Sequence, residues 1–422
     1  MISRSVEEAY VWAWLPGATQ PIVAGRLQAI DRALQFNYGK SYLEGAGGST
    51  PTIALSPEEL PLQSGLLPLL DGLTMPGCLR DAAPDAWGRR VIMNRLLGSK
   101  GSNADTAQLD ELTYLVSSGS DRIGALDFQL SPTEYQPRST ENASLEELLE
   151  SAERVQKGIP LQPELDQALL HGSSIGGARP KALIEDKDVK YVSKFSTSTD
   201  LYSLVKAEYI AMRLAKLVGL NVARVKLAKA ANKDVLLVER FDRQHSLNGW
   251  TRKIMISALS LLKLDEMHAR YASYETLAEI VRHKFINPKE SLRELFSRMV
   301  FNILSGNTDD HARNHAAFWD GKSLSLTPAY DICPQGRTGN EASQAMLISG
   351  INNLSQLQTC LDSAHNFLLS KEDAISIFNS QITLIEKHWD MVCDEAELSI
   401  IDRNLLWRRQ FLNAWSIEFS SK

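Results

Sequence analysis

A helical pattern of apolar positions is clearest at residues 291–304. Apolar side chains recur there at i, i+3 and i+4: Leu292, Leu295, Phe296, Met299 and Ile303. This period places them on one face of a helix. A second helix is predicted at about residues 204–218, with Gly219 as its stop signal. Ser144 and Glu147 have the spacing of a capping box, which predicts another helix N-terminus.

Short runs of apolar and β-branched residues predict strands, and they are concentrated before residue 243. The runs lie at 9–15, 124–130, 189–195, 222–227 and 234–242. A loop rich in glycine and serine, "HGSSIGGARPK", occupies residues 171–181. After Arg243 the strand signals fade and helical periodicity takes over. The pattern therefore predicts an α/β first half and a mainly helical second half.

Composition and charge place few limits on the partners of the chain. Its 422 residues suffice for about two or three domains, and its net charge of −6 supplies no global attraction for nucleic acid. No run approaches the roughly 18 apolar residues of a membrane-spanning helix. Glu7, Glu8 and Pro16 interrupt the segment where a secretory signal would lie. Since the four cysteines are scattered, which fits a reducing compartment, we expect a cytoplasmic protein without a membrane segment.

The densest group of chemically active side chains is "SGNTDDHARNH" at residues 305–315. His311 and His315 are four residues apart with two acids nearby, which is one pattern of a zinc site. Asp309 and Asn314 have instead the D-x4-N spacing of a protein-kinase catalytic loop. In such a loop the acid deprotonates the attacking hydroxyl and the asparagine binds magnesium. A plain polar turn is the third interpretation.

The kinase interpretation requires further parts in a fixed order, and candidates for them are present. Asp331 lies 17 residues beyond Asn314, where a second acid could bridge magnesium to the phosphates. Lys194 ends a predicted strand and could hold the α- and β-phosphates. Glu208 follows on the next helix and is the expected ion-pair partner of Lys194. Each residue taken alone is more often a surface charge, so the specificity of the pattern lies in their order.

Two backbone segments complete this order. Gly176 and Gly177 allow backbone amides to approach a phosphate closely. Backbone groups from Glu239 to Phe241, in "VERFDR", could meet the edge of an adenine. A rival interpretation of the loop is the G-x-S-x-G nucleophile elbow of a hydrolase at residues 172–176. That motif requires a strand directly before it, whereas the residues before this loop have a helix-like composition.

Several motifs together resemble a known family. "SSIGGARPKALI", "LLVERFDR", "NTDDHARNHAAF" and "LTPAYDICP" resemble segments of the HipA-type serine/threonine kinases, which are toxins of bacterial toxin–antitoxin modules. "APDAWGRRVI" and "DRIGALDF" resemble the N-terminal subdomain of that family in its full-length form. The similarity covers most of the chain, and the motifs are specific as a set.

The resemblance implies an α+β fold of the two-lobed protein-kinase type, with ATP between the lobes. It implies an N-terminal subdomain at residues 1–105. An α/β lobe with the glycine-rich loop and the hinge would follow at 106–243, and a helical lobe with the catalytic loop at 244–422.

Residue by residue, the resemblance implies Asp309 as the catalytic base, with Asn314 and Asp331 as the ligands of Mg²⁺. It implies Ser174 as a site of autophosphorylation. The residues expected to contact ATP are Lys194, Glu208, Glu239, Phe241, Gly176, Gly177 and His311.

The resemblance also implies partners. These are a small HipB-like helix-turn-helix antitoxin, through which alone the chain would reach DNA, and a protein substrate such as an aminoacyl-tRNA synthetase. One departure from the family is that the glycine-rich loop ends in Arg179-Pro180-Lys181, where members often have Gln-Glu-Lys. Two other functions stay open at this point: a non-catalytic corepressor that acts through its antitoxin, and a kinase for a small molecule.

Overall fold

The computed structural model of the protein describes residues 6–45, 51–97, 109–138, 143–159, 177, 179–197, 200 and 202–419. The strands are β1 (Glu8–Ala13), β2 (Ile22–Ile30), β3 (Ala33–Tyr38), β4 (Leu126–Gln129), β5 (Lys181–Asp186), β6 (Val189–Phe195), β7 (Val225–Ala230), β8 (Lys233–Glu239), β9 (Arg243–Ser246), β10 (Gly249–Arg252), β11 (Ile254–Ser257), β12 (Ala316–Trp319) and β13 (Leu324–Leu326). The helices are α1 (Lys40–Leu43), α2 (Gly77–Arg80), α3 (Ala86–Leu97), α4 (Glu111–Ser117), α5 (Leu145–Gln156), α6 (Leu204–Leu217), α7 (Ala258–Leu261), α8 (Tyr274–Lys284), α9 (Pro288–Ser305), α10 (Leu357–Ser363), α11 (Lys371–Glu395), α12 (Ile400–Leu406) and α13 (Ala414–Ile417).

The chain forms two compact units. The first comprises Met1–Thr197, Lys229–Ile256 and Trp319–Lys322, and the second comprises Ser198–Ala228, Ser257–Phe318 and Ser323–Lys422. The division into domains at residues 105 and 243 stays a prediction, because compactness alone does not delimit the subdomains of a family.

An antiparallel sheet with strand order β3-β2-β1-β4 organises the N-terminal part of the first unit. Ala9, Val11 and Ala13 of β1 are fully buried at every second position, as the period of a strand requires. A two-residue turn joins β2 to β3, and its first residue, Asp31, has a φ of 53°. Positive φ in such a turn matches the right-handed twist of the two strands it connects.

A second sheet of this unit contains β5, β6 and β8, with β6 paired antiparallel to both of the others. In its register Lys194 of β6 lies between Lys181 of β5 and Leu236 of β8. Glu239, the last residue of β8, lies opposite Tyr191. The predicted strands at 189–195 and 234–242 are thus confirmed, and both carry candidate site residues.

Helix α5 lies in the same unit and begins as the sequence predicts. The Ser144 side chain accepts a hydrogen bond from the backbone N–H of Glu147, and the Glu147 side chain accepts one from the backbone of Ser144. This reciprocal capping box satisfies two backbone donors that have no partner within the helix.

The sequence pattern missed the strands that follow residue 243. Strands β9 and β10 pair as a hairpin, with Ser246 opposite Gly249. Most of their residues are polar, and Leu247 at the turn is fully exposed, so the alternation that marks a half-buried strand is absent. The prediction that strands end at Arg243 was wrong for this segment, although helices do dominate the later part of the chain.

The second unit is built around helix α9. The apolar residues that predicted this helix, among them Leu292, Phe296 and Ile303, are fully buried. Asn302 and Ser305 on its last turn are buried as well, so the helix is enclosed on several sides near its C-terminus. Among the described residues, no helix is long and apolar enough to cross a membrane.

Candidate active site

The candidate catalytic loop begins where helix α9 ends, in the second unit. Gly306 caps the helix with a φ of 70°, in the left-handed conformation that glycine adopts without strain. The Asn307 side chain donates a hydrogen bond of 3.1 Å to the side-chain oxygen of Asn302, one turn back in the helix. The backbone N–H of Gln335 donates to the Gly306 carbonyl at 2.9 Å. The buried end of α9 therefore gives the loop a rigid base.

The loop from Asp309 to Asn314 closes on itself through hydrogen bonds. The backbone N–H of His311 donates to the Asp309 carbonyl at 2.9 Å, and the N–H of Asn314 donates to the His311 carbonyl at 2.8 Å. The Asn314 side chain donates through Nδ2 to the Asp309 carbonyl at 3.1 Å. The D-x4-N spacing found in the sequence thus corresponds to a direct contact between its two end residues.

The Asp309 side chain is exposed, and its pKa is nevertheless raised above the ordinary value for an aspartate. Partial desolvation is the main cause; the charge of His311 opposes it, while the negative charges of Asp331 and Asp310 add to it. The charge of Asp331 thus acts on the carboxyl group of Asp309. An exposed carboxylate of raised pKa is suited to accept a proton from a hydroxyl group.

Asp331 is held in a conformation that few residues with a β-carbon adopt. Its φ is 58°, in the left-handed region. Just before it, Ala329 pairs with Val222 in a parallel bridge, and the Tyr330 hydroxyl donates to the Arg313 carbonyl at 2.7 Å. The strained residue is thus anchored to the catalytic loop by its neighbour. Strain of this kind concentrates at functional sites.

Asn314 and Asp331 fit a magnesium ion in their chemistry. Because Nδ2 of Asn314 donates to the Asp309 carbonyl, its Oδ1 is the atom left for a cation. A carboxylate and an amide oxygen are hard ligands, and Mg²⁺ is commonly held by one or two protein oxygens together with phosphates and water.

The zinc interpretation of the histidines finds no support in the geometry. His315 is buried, and its Nε2 contacts Oδ1 of Asp310 at 2.8 Å and the Tyr274 hydroxyl at 3.0 Å. Within the described part of the chain, no group of three or more histidine, cysteine, aspartate or glutamate residues is placed to hold a metal ion. His311, which we predicted to contact ATP, lies in the loop beside Asp309.

Two candidate nucleotide-binding residues of the first unit, Lys194 and Glu239, lie on its second sheet, and Gly177 precedes that sheet. Lys194 is half-buried on β6, and the backbone N–H of the following Phe195 donates to the Pro180 carbonyl at 3.1 Å. Gly177 has a φ of 112°, and a β-carbon there would lie 2.0 Å from Nζ of Lys181. The backbone conformation therefore favours glycine at residue 177, whereas the flexible end of Lys181 could move away from a β-carbon.

The predicted positions of several other site residues are not tested by the structure. Ser174 and Gly176 lie outside the described residues, as does the G-x-S-x-G segment at 172–176. Glu208 is buried on α6 in the second unit, whereas Lys194 belongs to the first. Their ion pair stays a prediction.

Sequence reasoning missed a network of buried charges beside Glu239 and Phe241. Arg240 donates to Oδ1 of Asp121 at 3.1 Å and to Oδ2 of Asp242 at 2.8 Å. Arg243 donates to the same two carboxylates, at 2.9 Å and 2.8 Å. The signal that could have found this network is the charge density of "VERFDR" directly after an apolar strand, because charges that follow a buried strand need partners of opposite sign.

Comparisons with known families agree with this geometry. Residues 173–389 match the HipA-like C-terminal domain, and residues 18–129 match the HipA N-terminal domain. The first range contains all but the first two residues of the glycine-rich loop, together with Lys194, the D-x4-N loop and Asp331.

Curated relatives match over part of their length. A predicted kinase, Y4mE of Sinorhizobium fredii, is 27% identical over 265 residues, which cover 58% of this chain and 60% of the relative. The serine/threonine-protein kinase toxin HipA of Shewanella oneidensis is 27% identical over 184 residues, which cover 38% of this chain and 42% of the toxin. The chain therefore spans less than two thirds of the length of these relatives.

A solved structure matches the whole fold. It is the Shewanella oneidensis HipA in complex with HipB and operator DNA, with a TM-score of 0.67 at 20% sequence identity. The match covers 97% of this chain and 100% of that one. The α+β kinase-like fold expected from the sequence is thereby confirmed.

Proposed function

Since the chain belongs to the HipA family of kinases, we propose that it is an ATP- and magnesium-dependent protein serine/threonine kinase. The observation that carries the proposal is the closed loop from Asp309 to Asn314 with the Asp331 carboxylate nearby. A base, an amide ligand and a carboxylate ligand are the side chains that phosphoryl transfer from Mg-ATP requires near the attacking hydroxyl.

Each residue has a defined task in this proposal. The Asp309 carboxylate orients the acceptor hydroxyl and takes its proton as the oxygen attacks the γ-phosphorus. Asn314 and Asp331 hold magnesium, which when bound neutralises charge on the phosphates. Lys194 holds the α- and β-phosphates, and Glu208 orients that lysine. Glu239 and Phe241 contact the adenine, while Gly176, Gly177 and His311 contact the remainder of the nucleotide.

The test of this function is the substitution Asp309→Asn in the purified full chain. Phosphate transfer and ATP consumption should both fall by at least about 100-fold, because the loss of general-base catalysis alone costs about 10²–10⁴-fold. Mg-ADP should still bind within about threefold of the wild-type affinity, since Asp309 contacts no nucleotide in the proposal.

The matched control is Asp390→Asn on helix α11, the same substitution at an exposed residue of the second unit. It should leave both rates unchanged. Near-normal rates in folded Asp309→Asn would refute the kinase assignment of this loop. A wild-type chain that consumes no ATP would favour the corepressor, and one that phosphorylates only small molecules would favour the small-molecule kinase.

We further propose that Ser174 is autophosphorylated and that the modification inactivates the chain. A phosphoserine carries about −1.5 to −2 charges, which would repel the phosphates of ATP beside the glycine-rich loop. Intact mass after incubation with Mg-ATP should show one added phosphate, absent in Ser174→Ala and in Asp309→Asn. The affinity for ATP should fall after the modification. A phosphate mapped only outside residues 171–181 would contradict this proposal.

The partners belong to the same proposal. The matched Shewanella structure contains HipB and operator DNA, which supports a small HipB-like antitoxin as the partner of this chain in a toxin–antitoxin module. With a net charge of −6, the chain would reach DNA only through that antitoxin. The phosphorylated target is proposed to be a protein of translation, such as an aminoacyl-tRNA synthetase. A cytoplasmic location fits the four free cysteines.

A further inference from the structure

Two adjacent acids of the catalytic loop lie in opposite surroundings. The Asp309 side chain is exposed, whereas Asp310 is only 1% exposed. Burying a carboxylate is costly unless it is paired and hydrogen-bonded. Nothing in the chemistry proposed for Asp309 requires a second, inaccessible acid beside it. The partners of Asp310 therefore indicate what it does.

Asp310 is bound by two buried side chains from different segments. Its Oδ2 accepts a hydrogen bond from the hydroxyl of Tyr274, at the start of helix α8. Its Oδ1 lies 2.8 Å from Nε2 of His315. Tyr274 and His315 are 0% and 4% exposed. Burial and the nearby Asp310 raise the pKa of Tyr274 well above its ordinary value, so its hydroxyl keeps the proton it donates.

The hydrogen-bond pattern is consistent with one arrangement of protons. With a proton on Nε2, His315 donates to Oδ1 of Asp310 and also faces the Tyr274 oxygen, 3.0 Å away. Nδ1 then carries no proton and needs no acceptor, and it finds no partner among the described residues. The position of this proton follows from the network.

The contact between Asp310 and His315 can fix the geometry of the loop because of where these residues lie in the chain. Asp310 directly follows Asp309, and His315 directly follows Asn314. The Asp310–His315 contact therefore joins the residue just after the base to the residue just after the magnesium ligand. It is separate from the closure that Asn314 makes with the Asp309 carbonyl. Two independent closures thus hold the loop, one between side chains and one between a side chain and the backbone.

Tyr274 connects this closure to the surrounding unit. Its backbone N–H donates to the Leu347 carbonyl at 2.9 Å, and the N–H of Ala345 donates to the Thr308 carbonyl at 3.1 Å. The segment 345–347 therefore contacts both the start of α8 and the residue just before Asp309. The side-chain contact from Tyr274 to Asp310 completes a ring around the start of the loop.

We propose that Asp310, His315 and Tyr274 are positioning residues, which set the distance between the Asp309 carboxylate and the Asn314 amide. The proposal rests on the kinase function given above. A fixed distance aligns the attacking hydroxyl with the phosphate held by magnesium. A misplacement of about 1 Å can cost about 100-fold in rate. The loss is therefore expected in kcat, with little change in the KM for ATP.

The experiment compares the removal of two buried hydroxyl groups. Tyr274→Phe removes the donor to Asp310, and Tyr42→Phe is the matched control. Tyr42 is also fully buried, and its hydroxyl donates to the Ile53 carbonyl at 2.8 Å in the first unit. Both variants should lower the melting temperature, Tyr274→Phe by more because its hydroxyl binds a buried carboxylate. Tyr274→Phe should lower kcat about 10-fold with the KM for ATP within about twofold, while Tyr42→Phe should leave kcat within about twofold.

A second pair of variants tests His315 by conservative rescue. Glutamine can place an amide N–H near the position of Nε2, so His315→Gln should keep kcat within about fivefold of wild type. His315→Ala, which has no donor, should lose about 100-fold. A role in stability alone would make the two variants differ in melting temperature and not in the kcat of the folded fraction.

The outcomes separate this inference from the proposed function. A wild-type chain without Mg-ATP-dependent phosphate transfer overturns both. An active wild type whose Tyr274→Phe variant has the kcat of Tyr42→Phe overturns only the positioning role. The same holds if His315→Gln and His315→Ala have equal kcat, or if Tyr274→Phe changes the KM for ATP and leaves kcat intact.

Discussion

Asp331 combines a charged side chain with a backbone conformation that favours glycine or asparagine. Its φ of 58° costs a residue with a β-carbon roughly 1–2 kcal/mol. Asparagine tolerates this conformation because its short polar side chain can form local hydrogen bonds. Asp331→Asn is therefore the substitution that removes the charge and leaves the backbone in place.

We expect Asp331→Asn to raise the magnesium concentration for half-maximal activity by at least about 10-fold, since even outer-shell changes at metal sites cost about 10–100-fold in affinity. Its melting temperature should stay near that of the wild type. Asp331→Gly is the matched control, because it also lacks the carboxylate and adopts the left-handed conformation without strain. A magnesium titration identical to the wild type in both variants would exclude Asp331 as a ligand.

At the scale of the element, the C-terminus of helix α9 decides where the catalytic loop begins. Gly306 has a φ of 70° and lies against the backbone at Gln410. A β-carbon there would lie 2.7 Å from the Gln410 carbonyl oxygen and 2.9 Å from its Cα. Backbone atoms cannot rotate away as a flexible side chain can, so the end of the helix would have to shift.

Gly306→Ala should therefore destabilise the protein by about 2–4 kcal/mol, the sum of left-handed strain and the clash. Gly350→Ala is the matched control, since Gly350 also has a positive φ of 56° and no atom lies within 4 Å of its added β-carbon. It should cost only about 1–2 kcal/mol. Urea unfolding of both variants measures the difference. Equal losses in the free energy of unfolding would show that the backbone at Gln410 can move aside without destabilising the protein.

The start of α9 depends on local sequence, whereas its end depends on tertiary packing. Pro288 begins the helix at the position where its missing N–H is harmless, and the apolar period defines the buried face. Both signals are local, and the apolar period alone was sufficient to predict the helix. The contact between Gln410 and Gly306 is long-range, so no local sequence pattern predicts it.

On the largest scale, a network of buried charges connects distant parts of the first unit. It consists of Asp121, Asp242, Arg240 and Arg243. Asp121 lies in the connection between α4 and β4, about 120 residues before Arg240 and Arg243 in the chain, yet it contacts both arginines. Burial by itself would raise the pKa of Asp242, but the charges of Arg240 and Arg243 outweigh burial and lower it to about 2. The network depends on the negative charge of these aspartates.

Asp242→Asn should lower the free energy of unfolding at pH 7 by about 3–5 kcal/mol, because it leaves buried arginine charges short of a partner. The folded-state pKa of about 2 lies below the value of about 3.9 for an unfolded aspartate. The stabilising contribution is thus complete above pH of about 4 and is lost as the pH falls towards about 2. The difference in the free energy of unfolding between wild type and variant should become smaller over that pH range.

Denaturant unfolding at a series of pH values measures this difference. The matched control is Asp188→Asn, whose side chain is 75% exposed in its contact with His245. An exposed pair contributes about 0–1 kcal/mol, so this variant should follow the wild type closely. A difference for Asp242→Asn that stays constant from pH 5 to pH 2 would contradict the charge-dependent role.

Features that depend on local order along the chain could be predicted from the sequence alone. Helices α6 and α9 and strand β6 follow from the period of their apolar residues, and the D-x4-N loop with Asp331 follows from spacing. Residue type and order were also enough for the family resemblance. The hairpin after Arg243 was missed because its polar strands lack the alternation that burial imposes.

Which charged residues act together depends on the packing of distant segments and could not be predicted from the sequence. Asp309 and Asp310 are adjacent and have the same side chain, so the sequence does not show which of them is buried. Packing leaves Asp309 exposed and buries Asp310 against Tyr274 and His315. The positive φ of Asp331 is likewise set by the contacts of its surroundings. The physical reason is that burial and charge pairing depend on residues far away in the chain, whereas periodicity depends on near neighbours.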